Sequence, residues 1–298
     1  MSWFDFAVHR ALLEAALVGA MGGVVGVFVI TRRLSFFAMA LTHATFPGIV
    51  VAALLGINLF LGGGVFGLLI VAGVVFLGRG RGQNFTAATG VALACGFALG
   101  VVLVSAQAGF TKDLTAYTVG DILTVGASDL VTTAVVACVI LLTLAMLGKE
   151  LLLRAFDPDG AAAAGLPVTL LDLALLALVE MAVVATVPAL GAILTLALLV
   201  GPAATARLLS DRLAVLFPLA AVIGVACGLT GIWISMLADV AAGASIALLV
   251  GAVFAVALLL RRGVRRSRRS TALSEAADRF ATGDGTVTTG FEPVRVRG

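Results

Sequence analysis

Charge is scarce in this chain. Of its 298 residues only 12% are Asp, Glu, Lys or Arg, while 61% are hydrophobic; a soluble domain has about 25% charged residues and about half apolar. That balance excludes an ordinary soluble fold and indicates an integral membrane protein. The two-residue alternation of polar and apolar positions that marks a membrane barrel is also missing. The apolar runs are continuous and near 20 residues long, the length a helix needs to cross about 30 Å of hydrocarbon. The three cysteines, Cys95, Cys138 and Cys227, are odd in number and lie in separate apolar runs, so no disulfide framework is implied. They read as small apolar residues. The start, MSWFDFAVHRALLEAAL, lacks the basic opening, short apolar core and small-residue cleavage site of a secretion signal, so the first span is expected to be retained. A GxxxxGKS phosphate loop, HExxH, CxxC and GxSxG are all absent from the sequence, which removes the common nucleotide, zinc, redox and hydrolase signatures. Any energy this chain uses must come from an ion gradient or a partner.

What is present is a series of apolar spans near 11–30, 40–60, 64–78, 86–106, 130–148, 169–187, 190–206, 213–235 and 244–260. The expected fold is an all-α, polytopic bundle of eight or nine transmembrane helices in the cell (plasma or inner) membrane. The count depends on Pro188 to Gly191, a tight joint that reads either as a turn between two full crossings or as a re-entrant hairpin. Basic residues fall in alternate connections: Arg32 and Arg33, Arg79 and Arg81, Lys149 and Arg154, Arg207 and Arg212, then the tail from Arg261. Positive charge stays in the cytoplasm, which puts the N-terminus outside and the C-terminus inside. The membrane region is 1–262, and 263–298 reads as a basic, then polar, disordered cytoplasmic tail. Six arginines between Arg261 and Arg269 suit anionic lipid at the membrane surface; lipid, not nucleic acid, is the partner they imply. The 35 glycines, in stretches such as GAMGG and GLTGIW, read as small-residue surfaces for close helix packing.

Within this apolar background a few polar residues stand out. His43 lies in LSFFAMALTHATFPGIV, four residues after Met39, so on a helix the two side chains share a face. A histidine at membrane depth either satisfies a neighbouring carbonyl or faces a path, and an imidazole beside a thioether is a donor pair for borderline and soft metal ions. Pro47 and Gly48 follow within about a turn, where a helix break frees carbonyls that must line a cavity or meet protein. Glu180 sits well inside a span with no basic residue within a turn, so it is protonated, paired across helices, or facing water; with His43 and Met39 it is a candidate for lining an ion path or relaying a proton. Glu14 has Arg10 one turn before it, which suits a local pair. Asp172 lies near a cytoplasmic span end and requires no special role. Asp239 lies in an outer connection, where capping at Ser245 or contact with a soluble donor are both open. FDPDGAAAAGLP, Phe156 to Pro167, predicts a short helix capped by Asp157, begun by Pro158, carried by alanines to Ala164 and stopped by Gly165 and Pro167.

Three stretches carry a resemblance. RRLSFFAMALTHATFPG is similar to the RRLSLxGDALSHAxLPG signature of the ABC-3 family of metal-ion permeases. FDPDGAAAAGLP with VPALGAILTLALLVGPAATARLL is similar to that family's FDPExAxAxGLP and (V/I)GxxLxxALLxxPAATARLL segments, and SMLADVAAGASIALL to its YxLDxPxGAxIVL. The resemblance implies a non-enzymatic permease subunit of an importer for a divalent transition metal ion, zinc or manganese. It implies a homodimer around a central path, two ATP-binding cassette subunits that hold the ATP, and an extracytoplasmic metal-binding protein; no cofactor is permanently bound. The family's aspartate and histidine line the ion path, so the role passes to His43, while Met39 stands where the aspartate would be and Ala38 where the glycine would be. Asp121 and Glu180 also depart from the family pattern. Phe156 to Pro167 becomes the helix that docks into the ATPase, and Asp239 a contact for the binding protein. The alternatives are an ATP-independent secondary carrier, a permease for a metal chelate, and a membrane scaffold that transports nothing.

Overall fold

In a computed structural model of the chain, the backbone is described for residues 3–78, 85–106 and 125–281, and every regular element among them is a helix. In chain order these are α1 (Trp3–Thr31), α2 (Ser35–Ala44), α3 (Phe46–Leu55), α4 (Leu59–Leu77), α5 (Phe85–Ser105), α6 (Ala127–Phe156), α7 (Pro158–Ala163), α8 (Val168–Leu209), α9 (Leu213–Ala238) and α10 (Ala242–Ala281). Nine segments of the described residues are long and apolar enough to span a membrane.

The joint at Pro188–Gly191 separates two full crossings. Arg32, at the end of α1, meets Asp172 near the start of α8. Leu190 and Leu194 pack with Ala11, Ala15 and Val18 near the other end of α1, and Ala203 and Ala206 are back beside Val27. The two halves of α8 therefore run antiparallel along α1. Their reversal is at Gly191, whose φ of 79° and ψ of 163° are open to glycine and strained for other residues. A re-entrant hairpin would turn back partway and would not carry Leu190 to the level of Ala11, near the far end of α1.

The second span begins at Ser35 and ends at Leu55, several residues earlier than the apolar pattern suggests. Its start is set by a sharp corner after α1: the Arg33 N–H donates to Ile30 O at 3.1 Å and the Leu34 N–H to Val29 O at 2.7 Å. This is the paired bonding that closes a helix with a left-handed residue, and the left-handed residue is Arg33, at φ 56°. Its end is set by Gly56, at φ 67°, and the next helix begins where Asn58 accepts the Phe60 N–H at 2.8 Å. Helix α6, with 30 residues, is about 45 Å long at 1.5 Å per residue. It outruns the hydrocarbon and carries Lys149, Glu150 and Arg154 beyond it.

Close helix packing centres on α1. A Cβ on Gly19 would lie 2.6 Å from the Gly224 carbonyl, and one on Gly23 2.5 Å from the Ala220 oxygen, both on α9. On its other side Gly22 and Gly26 abut the backbone of α8 at Leu198 and Leu199. Antiparallel α9 and two-legged α8 thus clasp α1 through absent side chains. These contacts collect Arg32, Arg154, Arg207 and Arg212 at one end of the bundle. The backbone of α10 stays helical to Ala281.

Gly19→Ala puts a methyl into the Gly224 carbonyl. Overpacking of this kind costs about 1–3 kcal/mol, so the purified protein is expected to unfold several degrees lower in a detergent thermal scan, whereas Gly64→Ala, which meets open space, should not.

Candidate ion path and docking site

His43 and Met39 lie on α2, and both are partly exposed. The His43 ring stands edge-on to Phe97 of α5, with centroids 5.9 Å apart. Phe36, three residues before Met39, is exposed on the same helical face. The opposite face of α2, with Phe37, Ala38 and Leu41, is buried in the protomer core. Helix α2 ends at Ala44, and Thr45 joins it to α3. Pro47 has no N–H to give to the carbonyl of His43 four residues earlier, which loosens the ladder at the expected place. Gly48 does a different job. It packs in the first turn of α3 against the Gly62 carbonyl and Phe66 of α4, so it is a crossing point of two helices.

Glu180 is fully buried, and neither carboxyl oxygen has a hydrogen-bond partner among the described residues. It occupies the space a side chain at Gly67 would fill, beside the Thr45 methyl. Thr45 turns its hydroxyl away, donating to Leu41 O at 2.9 Å. Two residues separate Thr45 from His43, about 200° around a helix. The carboxyl is therefore behind the span and the imidazole in front of it, and the structure does not bring Glu180 to the Met39–His43 face. One turn from Glu180, Val184 and Ala185 line a cavity of about 320 Å³ with Asn58, Asp129 and Thr132. Among the described residues no group of three His, Cys, Asp or Glu side chains is placed to hold a metal.

Glu14, assigned from sequence to a pair with Arg10, is fully buried and accepts the Thr133 hydroxyl of α6 at 2.7 Å, across 119 residues. Asp172, read as needing no role, ties three helix ends together. Its Oδ2 accepts from Arg154 Nη2 at 3.0 Å, and its Oδ1 is 2.7 Å from Arg32 Nη1. No local spacing reveals this triad, because its members belong to α1, α6 and α8. The only signal was the placement of all three near span ends.

The segment from Phe156 to Pro167 folds as the sequence predicts. Asp157 accepts the Gly160 N–H at 2.8 Å, and Pro158 opens α7. The turn closes with Gly165, φ 76°, donating to Ala162 O and Leu166 to Ala161 O. Ala161 faces inward while Phe156, Asp157, Pro158, Ala164, Gly165 and Pro167 are exposed. The result is a stiff projection at the basic end. Asp239 closes α9 at φ 53° and is exposed. It does not cap Ser245, whose hydroxyl donates to Ala241 O within α10. Asp121 lies outside the described residues.

The bundle of nine candidate membrane spans among the described residues, with a capped projection at its basic end, defines a polytopic helical membrane protein. The sequence profile of the ABC 3 transport family matches residues 5–261, and the chain belongs to that family. It is 36% identical to the manganese transport system membrane protein MntC of Halalkalibacterium halodurans, over 84% of this chain and 86% of that protein. It is 32% identical to the manganese import system permease protein ScaB of Streptococcus gordonii, over 88% and 94%. Among solved structures it superposes on PsaBC from Streptococcus pneumoniae in complex with Fab, with a TM-score of 0.76 and 32% identity, over 84% of this chain and 90% of that one.

A buried carboxyl without a partner destabilises its surroundings, and replacing it by an apolar group of like shape relieves that cost. Glu180→Met is therefore expected to raise the thermal midpoint of the purified protein, by roughly 1–3 kcal/mol of stability. A lower midpoint would mean that the carboxyl has a partner in the membrane.

Proposed function

We propose that the chain is the permease subunit of an ABC importer for a divalent transition metal ion, working as a homodimer with two ATP-binding cassette subunits and an extracytoplasmic metal-binding protein. The observation that carries this reading is the exposed, doubly capped α7 at the basic end, joined to a family match over residues 5–261. By the positive-inside rule the basic end is cytoplasmic, which presents Phe156, Asp157, Pro158, Ala164, Gly165 and Pro167 to a soluble ATPase and leaves Asp239 outside for the binding protein. ATP is bound by the partner, so this chain performs no chemistry of its own. The Met39–His43 face supplies the path. It is partly exposed in the single protomer, and a second copy brings two imidazoles and two thioethers towards one axis. Pro47 gives the same span a joint at which it can open and close. The relatives named for manganese favour that ion, while a thioether in place of the family's hard carboxylate extends the range towards zinc.

Purified permease alone should hydrolyse no ATP, and hydrolysis should appear only with the cassette subunit. In vesicles containing the full complex, His43→Ala should abolish uptake at normal membrane levels. Met39→Asp should raise manganese uptake relative to zinc in direct competition, since it restores a hard oxygen donor. An unchanged ion ranking together with full activity of His43→Ala would show that this face only packs.

Gly165→Glu places a bulky charge at a position with φ 76°. Cassette capture should fall by tenfold or more, while insertion and dimerisation persist; undiminished capture would remove α7 from the interface.

A further inference from the structure

We propose that the triad of Arg32, Asp172 and Arg154 is the link that carries movement of α7 to the ion path, with Asp172 as its positioning residue. This inference rests on α7 being the ATPase-docking element. Arg154 lies in the last turn of α6 and Asp172 in the second turn of α8, so their bond at 3.0 Å closes the base of the hairpin that presents α7. The hairpin cannot tilt without moving Asp172. The other oxygen of the same carboxylate, 2.7 Å from Arg32, grips the end of α1 where it turns into α2. That corner is stiff: Arg33 is left-handed, Leu34 is buried, and both backbone N–H groups are bonded into the last turn of α1. Helix α2 starts at the next residue and carries Met39 and His43. Displacement at α7 thus has a continuous polar route, through one carboxylate, to the span that holds the path ligands.

Two further features suit a moving link. The three side chains are only 17–24% exposed, so salt screens the pairs less than surface ones. They also border a cavity of about 460 Å³ walled by Leu34, Val75, Phe85, Leu175 and Leu176. Close-packed interiors transmit strain but leave no room to rearrange. Here there is space beside the charges for the helix ends to shift, and exchange of ion-pair partners is an established way for packed helices to pass between states.

The test uses the full complex in proteoliposomes, with ATP hydrolysis and manganese or zinc uptake measured on the same sample. Asp172→Asn should still bind the cassette and hydrolyse ATP within about twofold of the wild type, while ions carried per ATP fall about tenfold, within the range of ordinary coupling between sites. Asp172→Glu, which keeps the charge, should recover part of that ratio, a rescue that a merely structural role would not produce. If Asp172→Asn does not accumulate, Arg32→Lys serves in its place. It keeps the charge but replaces the planar guanidinium by a compact ammonium, and its ions per ATP should fall about threefold. A wild-type ratio in Asp172→Asn, or in Arg32→Lys where that variant is the one measured, overturns the triad alone and leaves the proposed function standing. A wild-type complex that binds no cassette or carries neither ion overturns both.

Discussion

Everything in this bundle depends on how closely backbones can approach where no water drives them together. Between helices in lipid the hydrophobic effect is weak, and contact comes from van der Waals packing over small residues. Helix α1 is built for this on two sides, with Gly19 and Gly23 against α9 and Gly22 and Gly26 against α8. The same device recurs outward, where Gly48 and Gly62 join α3 to α4, and Gly96 meets Ala44 across α5 and α2. Because α8 must keep both of its legs on α1, its reversal at Gly191 and the burial of its inner face follow.

The few polar groups at membrane depth sort by how they are satisfied. Thr31, Thr89, Thr186, Thr195 and Thr205 each return their hydroxyl to a carbonyl about one turn earlier, so they sit in the bundle at little cost. Glu14 finds one partner on another helix. Asp172 holds two arginines where the helices emerge. Glu180, fully buried, has neither among the described residues, and it lies away from the face that bears the imidazole.

Much of this was legible in the sequence. Apolar length and the rhythm of arginines yielded the spans and the end that gathers the charge. FDPDGAAAAGLP yielded the start, cap and stop of α7 to within a residue, because a helix capped by Asp and Pro and stopped by Gly is decided within a dozen residues. What escaped was everything fixed by contacts between distant segments. Asp172 is unremarkable among its neighbours in the chain and is decisive only where α1, α6 and α8 converge. Gly48 signals a break in one dimension and turns out to be a crossing in three. Glu180 and His43 belong to different spans, and nothing in the spacing of Thr45 and His43 on α2 says which side a carboxylate from α8 will take. The start of the second span was missed because an arginine, not a glycine, occupies the left-handed corner before it.

The contact between Glu180 and Gly67 constrains both residues. A side chain of any size at position 67 would occupy the volume the carboxyl now fills. The two positions are therefore coupled: a side chain at 67 obliges the Glu180 carboxyl, the far end of a flexible chain, to turn elsewhere in the bundle.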